Sequence, residues 1–205
     1  LRPAQLVAGR RSGRGHRLPY MSDRPERRFR EYGAIVFDLD GTLLELDVDW
    51  QEVSAEITEC LRDHGVDPSG RHSWELLDAG EDAGIGDRIH ERIAEYEIGG
   101  ARTARRLPLA DVMSRLDCET AVVSLNAESA VRIALEHAGL LEDVDVVIGR
   151  DTIDRRKPHP APLLEAIRRL GVSPEQVLFV GDSESDRTAA RRAGVDFEFV
   201  SALLE

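Results

Sequence analysis

The chain has 205 residues, with 39 acids against 27 Lys and Arg, a formal net charge of −12, and a composition 41% apolar and 32% charged. That length holds one well-buried core, or a core with a small inserted domain. The acidic balance argues against nucleic acid as a partner, which demands a broad basic surface; no apolar run approaches the roughly 20 residues that span a bilayer, so no membrane partner is expected and the location expected is cytoplasmic.

Residues 1–30 read as a basic and polar N-terminal extension. Arg2, Arg10, Arg11, Arg14 and Arg17 fall in the first twenty positions without an acid, and the segment lacks the apolar centre of a signal peptide. Two explanations compete: a tail that contacts an anionic partner, or a native start at Met21 with extraneous, unstructured sequence before it. Cys60 and Cys118 are too far apart, and too few, for a zinc site or a disulfide framework.

The first strand is predicted at residues 34–37, and its apolar run leads into Asp38 and Asp40 and then a Gly41-Thr42 turn. Residues two apart on a strand face the same way, so both carboxylates point to one side where the strand ends. Burying like charges together is expensive unless a cation lies between them or one is protonated. A hard divalent ion, magnesium above all, meets that need with oxygen ligands. An EF-hand calcium loop does not fit, because its sixth and twelfth positions counted from Asp38 are Leu43 and Asp49 instead of glycine and glutamate.

Residues 46–116 show no convincing strand but several amphipathic helical patterns: Trp50, Val53, Ile57 and Leu61; Ile85, Ile89, Ile93 and Tyr96; Leu109, Val112, Met113 and Leu116. An all-helical insertion directly after the first strand reads as a cap over the carboxyl end of a sheet, the end at which open α/β sheets bind ligands. Trp50, Trp74 and Tyr96 read as cap core that can also line a pocket. His90, His137 and His159 read as solvent-facing or helix-end residues.

Alternation resumes beyond the cap. Further strands are predicted at residues 121–123, 144–148, 177–180 and 197–200, and helical spacing marks Ala130, Val131, Ala134, Leu135 and Ala138, then Leu163, Leu164, Ile167 and Leu170. Strands alternating with helices predict an α/β fold with a doubly wound parallel sheet, its core formed by residues 31–45 and 117–205 around a cap at 46–116. Ser124 ends the second core strand, and the backbone N–H groups of Leu125 and Asn126 follow at a helix opening, an arrangement suited to a phosphate oxygen. The commoner role of Ser or Asn at that place is a plain helix N-cap. Lys157, in "RRKPHPAPLLEAI", is the only lysine of the chain, held in an extended approach to a helix by Pro158 and Pro160. A compact ammonium offsets phosphate or carboxylate as a point charge. After the strand at 177–180, "GDSESD" supplies Asp182, Glu184 and Asp186, acids that can converge with Asp38 on one ion or simply serve a helix N-terminus.

In this order and at these strand ends, "DLDGT", Ser124, Lys157 and "GDSESD" resemble the four motifs of the haloacid dehalogenase-like hydrolase superfamily, and the position of the insertion resembles its phosphoglycolate phosphatase-like group, with a shorter helical cap. The resemblance implies a Mg2+-dependent phosphatase acting on a small phosphorylated metabolite. Asp38 is then the nucleophile that forms an aspartyl-phosphate, and Asp40 the general acid and base. Ser124, Leu125, Asn126, Lys157 and Thr42 are then phosphate-binding, and Asp38, Asp40 (through its backbone carbonyl), Asp182 and Asp186 hold the metal. The second aspartate at position 40 is absent from dehalogenases of the family, and no lysine outside position 157 can supply the Schiff base of phosphonoacetaldehyde hydrolases. Two alternatives stay open: a phosphomutase of the same superfamily, and a non-catalytic phosphate-binding or scaffold protein.

Overall fold

A computed structural model describes residues 24–71 and 73–204; the stretch before residue 24, with its arginine cluster and Met21, lies outside the described residues. In chain order the elements are α1 (Arg24–Phe29), β1 (Ala34–Phe37), β2 (Leu44–Glu45), α2 (Trp50–Asp63), α3 (Ser73–Asp82), α4 (Gly86–Ala101), β3 (Arg105–Arg106), α5 (Pro108–Met113), β4 (Glu119–Val123), α6 (Glu128–His137), β5 (Val146–Ile148), α7 (Ala161–Leu170), β6 (Val177–Gly181), α8 (Glu184–Ala193), β7 (Asp196–Phe199) and α9 (Val200–Leu204).

Five strands form one parallel sheet in the order β5-β4-β1-β6-β7. Strands covered on both faces carry apolar side chains at every position, and every residue of β1 and β6 is buried. The two-residue period sorts these side chains. Ile35, Phe37, Val122, Leu178 and Val180 pack on one face with Leu109 and Met113 of α5 and Val131 and Leu135 of α6. Val36, Ala121, Val123, Val177 and Phe179 pack on the other with Leu163 and Ile167 of α7 and Ala190 of α8. The result is a doubly wound α/β sandwich, as the alternation predicts.

The order of strands also locates the functional edge. Chain connections leave β1 toward β4 on one side and leave β6 toward β7 on the other, so the loops after β1 and β6 part and open a crevice at the carboxyl ends of the strands. Asp38 and Asp182 are the residues directly after those two strands.

Helices α2, α3 and α4 build a separate apolar cluster from Val53, Ile57, Leu61, Leu76, Leu77, Ile89 and Ile93. This cluster lies over the crevice, and α4 packs against α6 of the core. The insert is not free of strands as expected: β3, two exposed arginines, pairs antiparallel with β2, so the chain leaving the helices lies against the chain entering them. Two polar residues carry no apolar alternation, which is why the pattern is silent there. Helix α5, inside the stretch 46–116, buries its side chains in the core beneath the sheet and not with α2–α4. Helix α1, inside the stretch 1–30, seats Phe29 in the same core, edge-on to Phe37 with ring centroids 6.0 Å apart. Strand β5 starts two residues later than expected because residues 141–143 take a 3₁₀ turn, and Val200 opens α9 instead of ending β7.

Phe29→Ala should lower the free energy of unfolding by about 3–5 kcal/mol. A urea titration would show the midpoint moving down with its slope kept; an unchanged midpoint would mean that α1 adds nothing to the core.

Candidate active site

Asp38 is placed by the sheet itself, since its N–H donates to Val180 O of β6 at 2.8 Å. The chain then turns sharply: Leu43 and Leu44 both donate backbone N–H to Leu39 O, and Gly41 adopts a φ of 76°. A Cβ at Gly41 would be strained by that angle and would also overlap the Asp182 carboxylate, so the turn needs glycine twice over. Asp40, half-buried, is held by the N–H of Leu46, which donates to its Oδ1 at 2.9 Å.

Lys157 lies in a turn before the cis Pro158 and not in an extended stretch. Its ammonium is buried and reaches three groups: Asp38 Oδ1 at 2.8 Å, Val123 O at 3.0 Å and Asp186 Oδ1 at 2.6 Å. The Asp186 contact is an ion pair through Oδ1, while Oδ2 accepts the Ser183 hydroxyl at 2.5 Å and the Ser183 N–H at 3.2 Å. Asp186 therefore closes the N-terminus of α8 and faces the lysine at once. Gly181 makes room for it, because a Cβ there would lie 2.6 Å from Asp186 Oδ2.

Oxygen atoms of Asp38, Asp182 and Asp186 lie within 4.8 Å of one another. With a single ammonium among three carboxylates, the cluster carries excess negative charge when ionised, and the protonation equilibria record it. Burial pushes Asp38 up to about 7, against the pull of Lys157 and with a further push from Asp186. Burial also raises Asp40 and Asp182, with Asp182 pushing on Asp40 and Asp186 on Asp182. Burial alone would lower the Lys157 ammonium, yet Asp38 and Asp186 outweigh it and hold the group above its ordinary value. Glu184, the remaining acid of "GDSESD", is exposed and pairs with Arg187 outside the cluster.

Ser124 follows β4 and is buried. Helix α6 starts at Glu128 with Ala127 at its N-cap, so Ser124 is not the helix cap. Its Oγ accepts from Asn126 N–H at 3.1 Å and from Asn126 Nδ2 at 3.3 Å. The Asn126 N–H is thus directed inward to the serine, and the serine proton remains to be donated. Thr42 is fully buried, with an Oγ1 that has no hydrogen-bond partner, and it does not line the cavity described next.

Between the sheet edge and helices α2–α4 lies a cavity of about 370 Å³, bordered by Asp38, Asp40, Ser124, Leu125, Asn126 and Asp182 below. Two residues that the sequence pattern leaves unmarked, Glu97 of α4 and Arg150 after β5, border it too. They form a buried bidentate pair, Arg150 Nη1 to Glu97 Oε1 at 2.5 Å and Nη2 to Oε2 at 3.1 Å. Glu97 Oε2 also accepts from Ala127 N–H at 2.9 Å, and Arg150 Nη1 donates to Leu125 O at 2.9 Å. The pair therefore pins α4 to the loop that carries Ser124. The one available signal was a charged residue in a helix register otherwise occupied by Ile89 and Ile93. Trp50 borders the cavity, whereas Tyr96 donates its hydroxyl to Glu56 at 2.6 Å outside it; the Trp74 side chain lies outside the described residues.

Comparison with known proteins adds a family to this geometry. A family model described as haloacid dehalogenase-like hydrolase matches residues 32–194. A phosphoglycolate phosphatase of Xanthomonas campestris pv. campestris is 33% identical over 179 residues, covering 79% of this chain and 80% of that protein. One of Rhodospirillum rubrum is 30% identical over 190 residues, covering 79% and 76%. Among solved structures, CbbY from Rhodobacter sphaeroides in complex with phosphate superposes with a TM-score of 0.59 at 23% identity, over 82% of this chain and 85% of that one. A subfamily IA hydrolase of the same superfamily from Geobacter sulfurreducens gives 0.54 at 21% identity, over 81% and 88%. These two similarities speak for the fold.

Glu97→Gln should cost about 3–5 kcal/mol of stability, because it leaves the Arg150 guanidinium buried without its counter-charge. Replacing both residues by methionine should recover most of that loss in the same denaturation experiment; a single variant as stable as the wild type would show that the pair pins nothing.

Proposed function

The chain belongs to the haloacid dehalogenase-like hydrolase family, and from that premise we propose that it is a Mg2+-dependent phosphatase that cleaves a small phosphate monoester through an aspartyl-phosphate on Asp38. The observation that carries this reading is the buried Asp38–Lys157–Asp186 contact beside Asp182, with Asp38 and Asp182 bordering the cavity at the parting of β1 and β6. The relatives named phosphoglycolate phosphatase support a phosphorylated substrate.

In this reading the Asp38 carboxylate attacks phosphorus in line with the leaving oxygen, which splits the reaction into two steps. Asp40, kept protonated more readily by its partial burial, gives a proton to the leaving alcohol and then takes one from water. Lys157 balances charge on Asp38 and on the phosphoryl oxygens. The Ser124 hydroxyl and the Leu125 N–H hold a phosphate oxygen, with Asn126 orienting the serine. Thr42 belongs to the wall behind the turn.

The donor set fits magnesium. Carboxylate oxygens of Asp38, Asp182 and Asp186 are hard ligands gathered in one place, to which the family resemblance would add the backbone carbonyl of Asp40, and burial, with a push from Asp186, raises the proton affinities of Asp38 and Asp182. When bound, the ion supplies charge neutralisation as the transition state forms. No helix among the described residues is long and apolar enough to cross a membrane.

Asp38→Asn should abolish magnesium-dependent phosphate release while leaving the fold intact by circular dichroism; wild-type turnover in that variant would remove the nucleophile assignment. Release without a phosphorylated-sugar activator would favour hydrolysis over a mutase. A carboxyl whose pKa is higher folded than unfolded loses stability for the protein as pH rises between the two values, here from 3.8 to about 7 for Asp38. Magnesium needs the ionised form, so its gain in Tm should be larger near about pH 8 than near about pH 5.5. Equal gains at both would place the ion elsewhere.

A further inference from the structure

The roof of the cavity is apolar. Trp50, Val53 and Ile57 of α2, Leu76 and Leu77 of α3 and Ile93 of α4 face the acid cluster across it, with Ser54 the small polar exception. With the phosphoryl group drawn to Asp38, which Lys157 backs, and to Ser124 on the floor, a leaving group held in the cavity sits against this roof.

Apart from the acids of the floor, the charged side chains on the lining are Glu97 and Arg150. They satisfy each other. Both terminal nitrogens of Arg150 are engaged by Glu97, one of them also by Leu125 O, and Nε is buried beyond the reach of solvent although it has no hydrogen-bond partner. The guanidinium cannot offer its fork to a substrate anion without leaving Glu97 buried and unpaired. Among the described residues, therefore, no cation is free on the lining to receive a second negative charge on the substrate. A carboxylate or second phosphate on the leaving alcohol would be desolvated among aliphatic side chains beside a glutamate, a costly placement. An apolar body would instead gain by removing itself and the roof from water.

From this lining we infer that the leaving alcohol is uncharged and carries an apolar, ring-sized body, which sets this site against substrates such as 2-phosphoglycolate or a sugar bisphosphate. The inference rests on the phosphatase reading above and narrows its substrate class.

The test compares kcat/KM, with magnesium, for benzyl phosphate, cyclohexylmethyl phosphate, 2-phosphoglycolate and a sugar bisphosphate, all esters of unactivated alcohols. The two neutral apolar esters should exceed the two charged ones by about tenfold or more, mostly through KM. Ser54→Arg, which installs a cation at a half-buried roof position, should raise kcat/KM for 2-phosphoglycolate by about tenfold and lower it for benzyl phosphate. Phosphate release that favours 2-phosphoglycolate or the bisphosphate in the wild type, or a preference that Ser54→Arg does not move, would overturn the inference and leave the phosphatase reading standing. Release from none of the four esters would remove both.

Discussion

A buried ammonium with two carboxylates on it is the constraint around which this molecule is arranged. Lys157 cannot be buried alone, and neither can Asp38 or Asp186. Each is brought by a different part of the chain: β1 delivers Asp38, the first turn of α8 delivers Asp186, and the turn before α7 delivers Lys157. Their meeting requires the sheet order in which β1 and β6 are neighbours and α7 packs across β4, β5 and β1 and against α8. The apolar sandwich supplies the stability that lets this charged group persist, and Gly41 and Gly181 supply the space. The group remains short of positive charge even so, a deficit that the proposed dication would offset.

Above this floor the insert has a core of its own, yet it is not independent of the sheet. Glu97 reaches from α4 to Ala127 N–H and Arg150, while Arg150 returns to Leu125 O. The loop proposed to hold phosphate is thereby shaped from above and below. Replacing such a pair by apolar residues often costs nothing in stability, so its presence at this point speaks for registration of two layers more than for strength.

Much of the sandwich was legible because buried strands and amphipathic helices leave simple periods. The apolar runs at β1 and β6 and the repeats of α6 and α7 could be read directly. The candidate site was legible where residue type was scarce: one lysine in a chain otherwise supplied with arginine, and two aspartates at the end of an apolar strand, stood out against their surroundings. What escaped was fixed by tertiary contact. Two paired arginines make β3 only because the linkers meet, and Leu109 and Met113 are as apolar facing the sheet as they would be facing the insert. Glu97 and Arg150 resemble many surface charges in an acidic, arginine-rich chain, and only the fold buries them together. Asn126 was read as a phosphate donor because its N–H lies at a helix opening; the conformation of the loop turns that N–H onto Ser124 instead.

The paired linkers β2 and β3 have one more property. The strand that enters the insert continues to Leu46, whose N–H holds the Asp40 carboxylate, and the strand that leaves it is tied back through Leu107 N–H to Leu43 O. The latch on the group proposed to carry the proton therefore belongs to the same ribbon that bears the helices over the cavity. One short ribbon thus fixes both the way the chain enters and leaves the insert and the orientation of the Asp40 carboxylate, so a change of sequence in either linker is felt at the floor of the cavity.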